Sequence, residues 1–299
     1  MPRGPRSSVK SFDFLVFPEA TTGFSCEELE AIFQKYCGSG TAIPGRRQLF
    51  DLLNYAKTYP TARARAQTDV KAMKGFGWDM TLIARRYKYL AGKVDELSIP
   101  VNKRWDDDNR IPVLFENTVT GSVDTFPWRV QRRKGYMKQR VLYQGKYKCH
   151  VLKFQGVIDN VGNFLWFSGP HPGAKGDGPL WQQYRPDWLL HIEKLLGDKA
   201  YCGRVYEENL HMIPPFKKPS RGRRTPAQSA YNRIHAFYRV KCEHAFGFLK
   251  RFDILSRRYR GRLNKKGIKK VYNIMKVLIH LSQLKKNMQV RVAPRDCAQ

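Results

Sequence analysis

The chain has 299 residues, and its 55 Lys and Arg against 25 Asp and Glu leave it at +30. An apolar fraction of 42% excludes disorder through most of the chain, and no window approaches the roughly 20 apolar residues that a membrane span needs. So basic a surface repels itself unless a polyanion is near, so nucleic acid is the expected partner, ahead of an anionic membrane, for which no basic amphipathic helix or lipid-attachment motif stands out. The length suits two domains. Cys26, Cys37, Cys149, Cys202, Cys242 and Cys297 are scattered with no CxxC pair and read as reduced thiols. No signal peptide is expected, because the basic residues 1–10 precede no long apolar run, and the protein reads as soluble and intracellular.

Taken in order, residues 1–24 read as a loose leader and 25–99 as a helical region. Ser25 and Glu28 form a capping box before an apolar stripe of Leu29, Ile32, Phe33 and Tyr36. A second helix carries Leu49, Leu52, Leu53 and Ala56 up to Pro60, a short third is expected over 61–74, and a longer one starts at Asp79. Short helices, one of them basic, suit a helix-turn-helix DNA-binding unit; a helical lid or dimerisation bundle is the alternative. Residues 100–117 read as a linker whose Asp106, Asp107 and Asp108 make a solvated turn.

From 118 to 290 the pattern is that of an α/β domain, a mixed sheet flanked by helices, and 291–299 is a tail. Strands are expected over 119–124, 147–158 and 164–168, the last two joined by a turn at 159–163. A Gly/Pro-rich loop over 169–179 contains Asp177, and 186–194 is helical or irregular. The apolar run Leu195-Leu196 then stops at Asp198, as a strand does when it delivers an acid to a sheet edge. After an exposed basic loop, Thr225 and Pro226 open a long helix to about 251, and Ile268, Val271, Tyr272, Met275, Leu278 and Ile279 mark a C-terminal helix.

Asp124, Asp198 and Glu243 are the acids that stand out. Cleaving a phosphodiester needs an activated oxygen nucleophile and a stabilised leaving oxygen, and two divalent ions roughly 3.5–4 Å apart serve both. Mg²⁺ prefers oxygen donors, so carboxylates are the right ligands. On the helix of Glu243, Arg239, Gly247 and Lys250 share its side, while Ile234, Phe237, Phe246 and Leu249 are expected on the sheet. Gly247 costs that helix about 1 kcal/mol relative to Ala, which either a close phosphate backbone or tight helix packing would explain. A solvated Glu on a helix is the commoner case. His171, His191 and His211 lack ligand spacing, and the glycines of 173–178 lack a following Gly-Lys-Ser/Thr, so neither a histidine metal site nor a nucleotide cradle is expected.

Val123-Asp124-Thr125-Phe126-Pro127, Gly169-Pro170-His171-Pro172-Gly173 with Asp177, Gly197-Asp198-Lys199-Ala200-Tyr201 and the run from Glu243 to Phe252 come in the order known from one family. Over about 118–284 the sequence resembles the DDE-type transposases of the Harbinger group and their host-adopted nuclease relatives, akin to bacterial insertion-sequence enzymes. The resemblance implies a ribonuclease H-like core, with Asp124, Asp198 and Glu243 as catalytic acids and ligands of Mg²⁺ or Mn²⁺, two ions in all, and Asp177 as an accessory acid. It further implies DNA as substrate and a Myb-like DNA-binding partner protein, and it is compatible with a homo-oligomer. Ala200 replaces a frequent Gly and Phe248 a frequent basic residue, changes that would tighten the turn after Asp198 and remove a phosphate contact.

The basic stretches 129–140, 217–224 and 250–270 give Arg132, Arg133, Lys134, Lys138, Lys250 and Arg251, with Arg239, as candidate DNA contacts. Solvated loops or nuclear-import signals are the other readings of 217–224 and 265–270. The expectation is a nuclear, metal-dependent DNA endonuclease or transposase; a transposase-derived binding protein without activity, or a ribonuclease H-like nuclease acting on other nucleic acids, are its rivals.

Overall fold

A computed structural model describes residues 18–37, 45–60, 76–94, 118–134, 136–203 and 211–292. The short helix expected at 61–74 and the linker at 100–117 lie outside them. The described parts form two compact units, one built from 18–94, 249–257 and 262–292, the other from 118–248 and 258–261. The sequence-order reading kept everything from 118 to 290 together; packing instead groups the C-terminal helix with the N-terminal ones.

The first unit is helical. Residues 18–24, read as the end of a leader, form α1 (Pro18–Thr22) and bury Phe24 against Phe252, with ring centroids 5.9 Å apart. Helix α2 (Cys26–Tyr36) has the expected capping box, the Ser25 N–H donating to Glu28 at 2.9 Å and the Glu28 N–H to the Ser25 hydroxyl at 3.2 Å. Helices α3 (Arg46–Thr58) and α4 (Phe76–Lys93) follow, the latter starting three residues before Asp79. The apolar positions at helical spacing, among them Leu29, Ile32, Leu49, Leu52, Leu53, Ile83, Tyr87 and Leu90, are buried. The Lys276 ammonium donates to the Ala91 carbonyl at 2.9 Å, and Lys285 pairs with Glu28 at 3.0 Å and donates to the Gly23 carbonyl at 2.9 Å.

The second unit is an open mixed sheet flanked by helices. Strand β1 (Val119–Arg129) runs five residues past the expected end. Helix α5 (Tyr136–Leu142) and the two-residue β2 (Tyr143–Gln144) interrupt the basic stretch before β3 (Cys149–Asp159) and β4 (Phe164–Pro172). Strand β4 takes the first part of the expected loop at 169–179, and an unexpected helix, α6 (Asp177–Tyr184), starts in its last residues; β5 (Lys194–Leu196), β6 (Met212–Ile213) and the long α7 (Pro226–Leu249) follow. The order is β2-β3-β1-β5-β6 with β4 also on β3; β3 is antiparallel to β1, β2 and β4, while β1, β5 and β6 are parallel. This arrangement is compatible with a ribonuclease H-like fold. The helices α8 (Asp253–Ser256) and α9 (Lys265–Val292) return to the helical unit.

Alternation along β1 sorts its side chains between two layers. Val123 packs with Val157, Leu165, Trp181, Leu195, Tyr201 and Met212 on the face that α6 covers. Phe126 turns to α7, where Phe246 lies 5.7 Å from it and 5.6 Å from Phe164. Gly121 lets β3 approach closely, since a Cβ there would stand 2.3 Å from the Ile158 carbonyl oxygen.

Candidate functional site

Parallel pairing of β1 with β5 sets Ser122 opposite Leu196. Asp198 comes two residues later, beyond the end of that pairing, and its charge acts on the Asp124 carboxyl. Asp198 lies just past β5 and caps a 3₁₀ turn, Lys199–Tyr201, accepting the Ala200 N–H at 2.7 Å. The residue at 200 therefore contributes its backbone to the acid's orientation.

Asp124 points towards α7. One carboxylate oxygen accepts the Thr125 N–H at 2.7 Å and the other accepts from Arg239 at 3.1 Å. The same guanidinium donates to Glu243 at 2.6 Å, one helical turn on. Burial raises the Asp124 carboxyl above its ordinary value and Asp198 pushes the same way, against the opposing pull of Arg239 and the Thr125 N–H. Burial works to lower the Arg239 pKa, but Asp124 and Glu243 outweigh it and the guanidinium is held charged. Arg239 thus links Asp124 to Glu243, and Asp198 acts on Asp124 through its charge.

Helix α7 meets the sheet through His235, Cys242 and Phe246, all buried. Burial pushes the Cys242 thiol well up, so it is a neutral packing group. His235, buried and with its pKa lowered by burial, hydrogen-bonds the Ile213 carbonyl at 2.8 Å and ties α7 to β6. Phe237, expected on the sheet, is instead 66% exposed. At Gly247 a Cβ would meet nothing within 4 Å, so tight helix packing does not account for that glycine.

Asp177 is held elsewhere. It opens α6, and the buried Lys153 donates to its carboxylate at 2.9 Å and to the Lys175 carbonyl at 2.7 Å. Lys153 shares a face with Gln155, whose amide donates to the Asp177 carbonyl at 3.1 Å and the Tyr201 hydroxyl at 2.7 Å. Because Lys153 and Gln155 alternate with Gly156, which is paired with Asp124, they point to the face opposite α7.

The candidate DNA contacts are spread out. Arg132 is exposed and donates to Gln139 at 2.7 Å, Lys134 is exposed, Arg133 is half-buried, and Lys138 falls in α5. Lys250 and Arg251 follow α7 and are exposed. Arg239 touches two of the acids, Asp124 and Glu243.

Sequence comparison gives this arrangement a family. The DDE superfamily endonuclease domain matches residues 123–283, more than half of the chain. The chain belongs to the DDE superfamily endonucleases. A curated relative, a probable transposase for insertion sequence element IS702 from Microchaete diplosiphon, is 29% identical over 188 residues, which cover 63% of this chain. The matched part spans 61% of that relative's length. No solved structure matches the chain.

DDE superfamily nucleases typically use divalent metals. The donor set here fits a hard, oxygen-preferring ion, since Asp124, Asp198 and Glu243 offer only carboxylate oxygens. As the side chains lie, no group of three or more His, Cys, Asp or Glu among the described residues is close enough to hold one metal. Arg239 stands between two of the three carboxylates. Its place was legible as an Arg and a Glu four residues apart on one helix; its bond to Asp124 was not, because that partner is 115 residues away.

Proposed function

We propose that this DDE superfamily endonuclease is a metal-dependent DNA endonuclease or transposase, with Asp124, Asp198 and Glu243 as its catalytic acids. One observation supports the reading: a single guanidinium, that of Arg239, engages both Asp124 and Glu243, while Asp198, just past the strand parallel to β1, acts on the Asp124 carboxyl through its charge. Asp124, Asp198 and Glu243 would hold Mg²⁺ or Mn²⁺, which supplies an activated water or hydroxyl and charge stabilisation at phosphorus. The chain's own part is to orient the acids. The Thr125 and Ala200 N–H groups fix the Asp124 and Asp198 carboxylates, and Lys153 anchors Asp177 and the start of α6 on the other face. Asp177 then supports the fold beside the site and is not a direct ligand.

DNA as substrate is supported by the charge of +30 and by the exposed basic residues of 217–224. Gly247, open to solvent one turn beyond Glu243, leaves room for a phosphate backbone. Transfer of a freed 3′-hydroxyl to target DNA, the Harbinger subtype, a Myb-like partner and a nuclear location rest on the motif resemblance and the basic stretches. The rival reading, a binding protein that has lost activity, draws on the separation of the carboxylates by Arg239. Nicking of DNA by the purified chain with Mg²⁺ or Mn²⁺ separates the two. The enzyme reading expects nicking that disappears in Asp198→Asn with DNA binding kept; equal behaviour of wild type and Asp198→Asn across metals and substrates hands the case to the binding protein.

A further inference from the structure

We propose that Arg239 is a built-in counter-cation for the acids: it bridges Asp124 and Glu243 and must let go of them before divalent ions are held. The inference rests on the reading of Asp124, Asp198 and Glu243 as ion ligands and adds a control on that site. The geometry that carries it is specific. One guanidinium donates through Nη1 to Asp124 at 3.1 Å and through Nη2 to Glu243 at 2.6 Å, so a single positive charge is shared by carboxylates on a strand and a helix. Arg239 is 19% and Asp124 28% exposed, which sets that pair apart from a solvated surface ion pair, while Glu243, 55% exposed, keeps its end of the bridge in water.

Charge accounting gives the reason for such a residue. Asp198 acts on Asp124 as a like charge, and a fixed cation shared by Asp124 and Glu243 relieves that repulsion while no ion is bound. The same positive charge opposes the arrival of a divalent cation at the same oxygens. Arg239 therefore stabilises the empty site and weakens its affinity for metal, so the ion must compete with a residue of the chain itself. Once released, the guanidinium remains beside the acids, within reach of a phosphate that approaches them; its two planar N–H pairs suit phosphate oxygens as well as carboxylates. This joins the sequence expectation of Arg239 as a DNA contact to its observed place on the acids.

A merely structural Arg239, one that only fastens α7 to β1, predicts the opposite sign: loosening Glu243 would weaken metal binding. The test is Mn²⁺ titration without DNA, by calorimetry and by the spectrum of bound Mn²⁺, on wild type, Arg239→Gln, Arg239→Lys and Asp198→Asn. Arg239→Gln is expected to bind Mn²⁺ roughly tenfold more tightly than wild type, the effect of removing a competing partly buried ion pair, and Arg239→Lys to fall between. Should Arg239→Gln fail to fold, side-chain arginine NMR of the wild type reads the same event, with the Arg239 signal moving on Mg²⁺ addition and that signal identified by its loss in Arg239→Lys. Equal or weaker Mn²⁺ affinity in Arg239→Gln, or an Arg239 signal that stays put while Mg²⁺ binds, overturns the proposal and leaves the endonuclease reading standing. If neither wild type nor Arg239→Gln binds Mn²⁺, and Asp198→Asn changes nothing, both fall together.

Discussion

In the helical unit Glu28 and Lys285 keep 9% and 7% of their side chains exposed, whereas in the sheet unit Asp124, Arg239 and Glu243 keep 28%, 19% and 55%. The first pair is locked in. Glu28 also accepts the Ser25 N–H, and Lys285 also donates to the Gly23 carbonyl, so each charge has further partners and little contact with water. The second group is half open, and its acids are bound by one cation that solvent and other cations can reach. Charges sealed inside a protein fix its shape, because removing one strands the other. Charges left at a rim remain available for exchange.

That contrast can be tested from both sides. The largest effect is expected at the rim, where Asp198→Asn should lower DNA nicking by on the order of a thousandfold while the midpoint of thermal unfolding barely moves. Retained nicking would make the rim acids ordinary surface groups. Next comes the sealed pair: Lys285→Met should cost about 3 kcal/mol of stability, measured by urea unfolding, because it leaves Glu28 buried without its partner. A loss under about 1 kcal/mol would mean that water reaches Glu28 and that the two units do not differ in this way.

A third test concerns the scaffold that holds the rim acids in register. Gly121→Ala would drive a methyl group against the Ile158 carbonyl, so β1 and β3 must part locally, at an expected cost of about 2 kcal/mol. Nicking should fall with it, since Asp124 lies three residues along the same strand. The smallest effect is a pH dependence. His171, stacked on Tyr184 at 4.3 Å and paired with the Ser168 hydroxyl at 2.9 Å, has its pKa lowered to about 4 by burial, with Lys175 acting in the same direction. Between about pH 6.5 and about pH 4 the unfolded chain binds a proton there that the folded chain refuses, so stability should decline as pH falls through that window. His171→Gln should flatten this part of a stability-against-pH curve; an unchanged slope would assign it to other groups.

Much of the fold was legible where periodicity was clean. The capping box at Ser25 and Glu28, the long helix opened by Pro226 and the strand that ends before Asp198 all appear as read, because local spacing and local chemistry determine them. Helix α6 was hidden by Gly and Pro, residues that signal a loop but also suit a helix start, as Gly176 and Pro179 do here. Strand β1 was cut short in reading because Pro127 argues against a strand interior; in the structure it is paired with Lys153 all the same. At the site, three candidate acids stand out in the sequence, but the partners of their side chains do not. Lys153 sits in a run of apolar residues, and a lone Lys in such a run was the available sign of a buried partner. Which partner it takes, Asp177, is decided by the packing of β3 against the start of α6, a contact between residues 24 positions apart.

Gly156 pairs with Asp124 across β1 and β3, and a Cβ on it would come within 3.0 Å of the Phe246 ring. Phe246 lies three residues beyond Glu243, so the ring works as a keel seated in the notch that the glycine leaves. A methyl group there would act as a shim, rolling the rod of α7 about its own axis and swinging Glu243 off its bearing. The aim of one acid is therefore set by an atom that the neighbour of another acid does not have.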